Sequence, residues 1–352
     1  MNFNKKHKKE PMDLVLASLG LGCWSFGGGQ YWGEQSQIDV DKVVHGAVDM
    51  GVNYFDTAEA YNEGRSEESL GKAIKTLKRD DIIIGTKVNP FNCYPELLVK
   101  HCEASLQRLK TDYIDLYMIH WPIHSRSIKY FSKNQDVIDN PPTLIGAIEA
   151  LRKLKKDGKI KYFGLSNYAK DRLLEVPEMD EISVNQLPYN LLCRAAEFDT
   201  IPFCINEGVP IISYMALLQG ILTGKYGSLN EIPLWRRRTR HFSSKGTIES
   251  RHGEDGFEDA TLSSLTAIQR ISDETGISMA DLAIKWVISN PAISCCLAGA
   301  RTLEQLQKNV NAAQDPLDEV IKISLDDVTE SLMNALGNNM DYYEAYDSDR
   351  TR

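Results

Sequence analysis

Short apolar and β-branched runs alternate with segments of helical period along the whole chain. Leu19–Trp24, Val52–Ala58, Asp81–Val88, Ile114–Trp121, Tyr162–Asn167, Glu181–Leu187, Val209–Leu217 and Ile293–Ala300 have the composition of buried strands. Runs such as Ile82-Ile83-Ile84 show no polar alternation, the pattern of a parallel sheet covered on both faces. Between the runs, Val40, Val43, Val44, Ala47 and Val48 form one helical stripe, ended by Gly51. Leu144, Ile145, Ile148, Leu151 and Leu154 form a second, ended by Gly158. Leu303, Leu306 and Val310 mark a third, after Thr302 as a suitable N-cap.

Eight strands interleaved with helices, and no dividing linker, predict an α/β fold of the (β/α)8 TIM barrel type. The expected organisation is a single domain over 1–352, with a core near 17–335 and terminal extensions at 1–12 and 336–352. Two long loops are expected, Ile123–Pro142 after strand four and Gly227–Asp259 after strand seven. The rival, an open doubly wound sheet, wants a G-x-G-x-x-G turn after its first strand, and Gly27-Gly28-Gly29-Gln30-Tyr31-Trp32 does not supply one.

The unusual polar residues fall at strand ends. Asp56, Lys87, His120, Asn167 and Gln186 end strands two to six, Tyr214 lies in the seventh, and Arg301 follows the eighth. A barrel gathers these ends on one face, where active sites of this fold sit; an open sheet would spread them along an edge. Taken singly, His120 reads as a satisfied core histidine and Tyr61 as packing. Lys87 is different, because a charge at the mouth of an apolar barrel needs a partner, and Asp56 on the neighbouring strand can be that partner. Together Asp56, Tyr61, Lys87 and His120 suit acid–base work. A tyrosine of ordinary pKa near 10 donates poorly to a carbonyl, and an ammonium beside it stabilises the phenolate. His120 can add a hydrogen bond to the same oxygen. No serine elbow or metal-ligand spacing is present: His120 and His124 are four apart, but Pro122 breaks any helix between them.

The motifs around these residues resemble the aldo-keto reductase superfamily. They include Asp56-Thr57-Ala58-Glu59-Ala60-Tyr61, Gly64-Arg65-Ser66-Glu67, Thr86-Lys87, His120-Trp121-Pro122, Gly164-Leu165-Ser166-Asn167, Gly220-Ile221-Leu222-Thr223-Gly224-Lys225 and Gly299-Ala300-Arg301-Thr302. The branch is similar to bacterial oxidoreductases and potassium-channel β subunits. The resemblance implies NADPH/NADP+ as cofactor and Asp56, Tyr61, Lys87 and His120 as catalytic residues, with Tyr61 the proton donor. It places substrate beside Trp24, Tyr61, His120 and Trp121. It implies Ser166, Asn167 and Gln186 at the nicotinamide carboxamide, Tyr214 stacked on the ring, and Trp24, Ser25 and Asp56 close by. Leu217, Gln219, Gly220 and Lys225 would follow the pyrophosphate, and Gly299, Arg301, Gln305 and Asn309 the adenosine end. Arg301 at a helix start suits the 2′-phosphate; its other reading is a solvated surface arginine. Many relatives have Ser-Pro where this chain has Met215-Ala216, so a serine contact to the cofactor is not expected here.

Composition narrows the partners. Across 352 residues the net charge is −9, which argues against nucleic acid or an anionic membrane as partner. Seven scattered cysteines without a C-x-x-C pair fit a reducing compartment, and no stretch has the length of a membrane span, so a cytoplasmic protein is expected. The expected activity is reversible reduction of an aldehyde or ketone, on a sugar or an aromatic carbonyl, with a homo-oligomer left open. A regulatory subunit that holds its cofactor and acts through a partner protein is the alternative. Residues 1–11 are few for a docking domain, which favours the enzyme. A metal-dependent barrel hydrolase would want H-x-H where Gly22-Cys23-Trp24 stands. The basic, aromatic run Trp235-Arg236-Arg237-Arg238-Thr239-Arg240-His241-Phe242 reads either as a cover over the mouth or as a solvated loop. The acidic, aromatic tail Asp341–Asp347 is open between the mouth, a subunit contact and a loose end.

Overall fold

The structure, a computed structural model, describes residues 14–29 and 31–352. Eight parallel strands close into a barrel in chain order: β1 (Leu19–Gly22), β2 (Tyr54–Asp56), β3 (Ile83–Val88), β4 (Ile114–Ile119), β5 (Ile160–Ser166), β6 (Asn185–Pro188), β7 (Ile211–Tyr214) and β8 (Ile293–Ala298). β1 pairs with both β2 and β8, so no sheet edge remains. Each strand coincides with one of the eight apolar runs.

The helices explain why the runs alternate. Gln37–Asp49 buries Val40, Val43, Val44 and Ala47, and the Ser36 side chain caps it by accepting from Asp39 N. Leu144–Lys156 is capped by Thr143 and buries Ala147, Ile148, Ala150, Leu151 and Leu154. Leu303–Ala312 is capped by Thr302 and buries Leu306, Asn309, Val310 and Ala312. Ile145 and Leu303, assigned to core stripes by spacing, are exposed. Each sits in the first turn, where a hydrophobic residue can extend past the surface it would cover.

Inside the barrel, Tyr54, Leu116, Met118, Val184, Ile212, Cys295 and Leu297 form a core separate from the larger one between strands and helices. Strand alternation carries this inner face onward: two residues beyond Tyr54, Met118, Val184 and Ile212 lie Asp56, His120, Gln186 and Tyr214. Tyr54 fits because its neighbours are glycines. A Cβ on Gly85 would lie 2.3 Å from the Tyr54 hydroxyl, and one on Gly20 2.8 Å from its ring.

The chain ends across the mouth. After the helix Glu319–Leu336, residues 337–352 cross the loops that follow β4 to β7. The Tyr342 hydroxyl accepts from Ala195 N at 2.9 Å, and Arg240 N donates to Tyr342 O at 2.8 Å. Ala169 N donates to Thr351 O at 2.9 Å, and His124 Nε2 bonds Arg350 O at 3.0 Å. Among the described residues, no helix is long and apolar enough to cross a membrane.

Candidate active site

Lys87 is fully buried and uses its ammonium in three directions. It donates to Asp56 Oδ2 at 2.7 Å, to Thr57 O at 2.8 Å and to the Tyr61 hydroxyl at 3.4 Å. The other carboxylate oxygen of Asp56 accepts from Gln186 Nε2 at 2.8 Å and from the Tyr54 hydroxyl at 3.2 Å. Burial lowers the Lys87 pKa while Asp56 pulls it back up. Burial, seconded by the Asp56 charge, holds Tyr61 well above an ordinary phenol. With desolvation the leading cause, Tyr61 keeps its proton.

His120 meets Tyr61 edge to face, with ring centroids 5.6 Å apart. Burial first, then the charges of Lys87 and Arg350, push its pKa well below 6.5, so the ring is neutral. Its Nδ1 is buried without a hydrogen-bond partner among the described residues. A bare lone pair there costs less than an unpaired N–H, which favours the tautomer with the proton on Nε2.

The next strand ends form a polar ledge. Asn167, in the left-handed region at φ 65°, donates from Nδ2 to His120 O at 2.9 Å and to Ser166 Oγ at 3.1 Å. Its Oδ1 accepts from the Tyr214 hydroxyl at 2.6 Å. Ser166 Oγ donates to Gln186 O at 3.3 Å. Trp24 stacks on Tyr31 at 5.1 Å and tilts over Tyr61 at 5.9 Å, with buried Ser25 next in the chain. Trp121 is half-buried beside His120.

Beyond this ledge, cations and glycines gather after β7 and at the end of β8. Around Gly220, at φ 91°, a Cβ would lie 3.1 Å from Arg236 Nη1 and 3.2 Å from Lys225 Nζ. Gln219 bonds Tyr31 and donates to the Tyr343 hydroxyl at 2.8 Å, while Leu217 is half-buried beside it. Arg238 lies over the rings of Tyr31 and Tyr343, at 4.7 and 5.4 Å. The Nε atoms of Arg236 and Arg238 are buried without hydrogen-bond partners among the described residues. Gly22 and Gly299 face each other at the ends of β1 and β8, where a Cβ on either would meet only backbone, at 3.6 Å or more. Arg301 donates to Trp32 O and to Glu34 O, and its N–H donates to Gln305 Oε1 at 2.9 Å. Asn309 Nδ2 donates to Gly299 O at 3.3 Å.

The structure therefore brings together Asp56, Tyr61, Lys87, His120, Ser166, Asn167, Gln186 and Tyr214, and sets the Gly220 and Arg301 groups apart from them. Tyr54, whose hydroxyl braces Asp56, is not among the residues singled out from the sequence, and of the alternatives open for the tail the structure has the mouth. Arg350 pairs bidentately with Asp341 at 2.6 and 2.8 Å and lies 4.1 Å over the Trp121 ring. Nothing local in the sequence marks that placement. Among the described residues, no group of three or more His, Cys, Asp or Glu is arranged to hold a metal.

Comparison with known proteins agrees with this geometry. The model of the aldo/keto reductase family matches residues 18–326. The NADH-specific methylglyoxal reductase of Escherichia coli is 28% identical, over 94% of this chain and 98% of its own. A probable voltage-gated potassium channel subunit beta of Arabidopsis thaliana is also 28% identical, over 91% and 94%. Among solved structures, an aldo/keto reductase of Klebsiella pneumoniae in complex with NADP and acetate is 26% identical with a TM-score of 0.64, covering 89% of this chain and 92% of its own.

Proposed function

Because the chain belongs to the aldo/keto reductase family and is an oxidoreductase, we propose that it reduces an aldehyde or ketone to the alcohol with NADPH, reversibly, with Tyr61 as proton donor. The observation that carries this reading is the buried Asp56–Lys87 pair reaching the Tyr61 hydroxyl, with neutral His120 edge to face against the phenol.

The residues present fit a nicotinamide dinucleotide. Asn167 Oδ1 and Ser166 Oγ each keep a lone pair for the NH2 of a carboxamide, and Tyr214 is a flat face beside them. Lys225 and Arg236 bring cations to the backbone of Gly220, and the Nε atoms of Arg236 and Arg238 have no partner among the described residues, a set that suits a diphosphate. Gly22 and Gly299 leave the floor between β1 and β8 free of side chains. Arg301, at the start of Leu303–Ala312, and Gln305 would receive the adenosine phosphate, the basis for NADPH over NADH. Seven buried, unpaired thiols suit a reducing cytoplasm.

When bound, the cofactor supplies hydride to the carbonyl carbon. Tyr61 then gives its proton to the carbonyl oxygen, and Lys87, donating to the phenolic oxygen, stabilises the phenolate that forms. Asp56 keeps that ammonium charged and aimed. His120, donating from Nε2, holds the carbonyl oxygen as negative charge develops on it. Trp24 and Trp121 flank the substrate with apolar faces.

Oxidation of NADPH by aldehydes, with wild type and Tyr61→Phe in parallel, tests this. Loss of a positioned acid costs about 10²–10⁴ in rate, and cofactor affinity, read by fluorescence titration, should stay within a few-fold. Undiminished turnover by Tyr61→Phe would sink the assignment. A parallel titration with NADH tests the cofactor preference.

A further inference from the structure

Arg350 lies at the mouth without a role in the acid–base line. Its relative exposure is 3%, and Nε and Nη2 are engaged by Asp341. The guanidinium is held between the rings of Trp121 at 4.1 Å and Tyr130 at 4.2 Å. Nη1 has no hydrogen-bond partner among the described residues, although backbone and side chain are otherwise clamped: Arg350 O by His124 and Arg350 N by Asp341. Trp121 directly follows His120. Tyr343, on the same tail, reaches Met215 Sδ at 3.7 Å, one residue beyond Tyr214. Two strand ends of the site thus touch the tail that carries Arg350, and its charge is felt at both His120 and Tyr214.

We propose that Arg350 is a specificity-determining residue that donates from Nη1 to a hydroxyl group of the carbonyl substrate, so that the enzyme prefers hydroxylated, sugar-like carbonyl compounds over apolar ones. This rests on the reductase reading above. An oxygen acceptor is what an unpaired guanidinium edge takes, and the choice between hydroxyl and carboxylate follows from its surroundings. Asp341 already balances the Arg350 charge. A neutral hydroxyl adds no charge, and its C–H groups can lie on the Trp121 ring.

Glyceraldehyde and propanal have the same carbon chain and differ in two hydroxyls, which makes the ratio of their kcat/KM values the test. Wild type should favour glyceraldehyde. In Arg350→Met that ratio should fall about 10- to 100-fold, the range for a lost hydrogen bond from a charged donor, mainly through KM for glyceraldehyde. Arg350→Lys, which keeps a cationic donor, should restore part of the ratio. A ratio unchanged in Arg350→Met, or equal losses on both aldehydes in both variants, would mean that Arg350 only fastens the tail and would overturn the inference alone. Turnover of neither aldehyde by wild type would overturn the reductase reading, and this inference with it.

Discussion

Lys87 Nζ sits 2.7 Å from Asp56 Oδ2, a buried ion pair between adjacent strands at the end of an otherwise apolar barrel. Neither charge would be tolerated there alone. The pair is held on both sides, by Gln186 and Tyr54 on the carboxylate and by Thr57 O on the ammonium. Removing one partner of such a pair leaves an uncompensated charge, which costs about 3–5 kcal/mol. Asp56→Asn should therefore lower unfolding stability by that amount in urea titrations and also abolish measurable reduction. A change below about 1 kcal/mol would mean that Lys87 carries no charge in the folded state.

The pH dependence of turnover follows from the two rings beside that pair. Tyr61 is held well above 10.0 and His120 well below 6.5, both chiefly by burial. Neither group changes charge between those values, so the rate of carbonyl reduction should be flat across them. Alcohol oxidation runs the proton the other way and needs the Tyr61 phenolate, so its rate should climb with pH over the same interval. An inflection near 6.5 in the reductive profile, absent from His120→Gln, would show that the imidazole does titrate in the working enzyme.

Gly85 is expected to be intolerant of even one methyl group. Its Cβ would fall 2.3 Å from the hydroxyl of Tyr54, which is fully buried and bonded to Asp56. Overpacking of this kind costs about 1–3 kcal/mol. Gly85→Ala should show that loss by thermal denaturation and a fall in kcat, because displacing Tyr54 removes a donor from Asp56. Retention of full activity would mean that the Tyr54 hydroxyl has no bearing on the carboxylate.

The strand ends were readable because two rules act together. Alternation sends every second strand residue inward, and barrel closure brings the last inward residue of each strand to one face. Asp56, Lys87 and Tyr214 are those residues in β2, β3 and β7, His120 directly follows β4, and Gln186 lies within β6. The tail was not readable, since Arg350 meets Asp341 by a turn of its own chain but meets Trp121 only because the barrel places it there. The Tyr61 pKa depends on burial as well as on neighbouring charge, and burial is a property of the fold. Sequence shows the neighbouring Lys87 but not the desolvation of the half-buried phenol, which raises its pKa.

Acid should loosen the clasp between the loop after β7 and the tail, through His241. This ring is fully buried, stacks on Tyr342 at 5.5 Å and is bonded as a neutral imidazole to Leu192 O and Thr239 Oγ1. Burial brings its pKa from 6.5 down to about 4. Between those values the unfolded chain binds a proton that the folded chain refuses, so this group's share of stability is complete above 6.5 and falls as the pH drops toward 4. At a pH of about 5 the loss is about 2 kcal/mol, from ~1.4 kcal/mol per pH unit. Asp349 opposes it: its folded pKa is raised to about 6, so the folded state takes up that proton first and gains stability as the pH falls below 6. The His241 contribution is therefore read as a difference. Measured by urea denaturation, His241→Gln relative to wild type should improve by about 2 kcal/mol between pH 7 and about pH 5. A difference that does not change with pH would mean that His241 is protonated equally in both states.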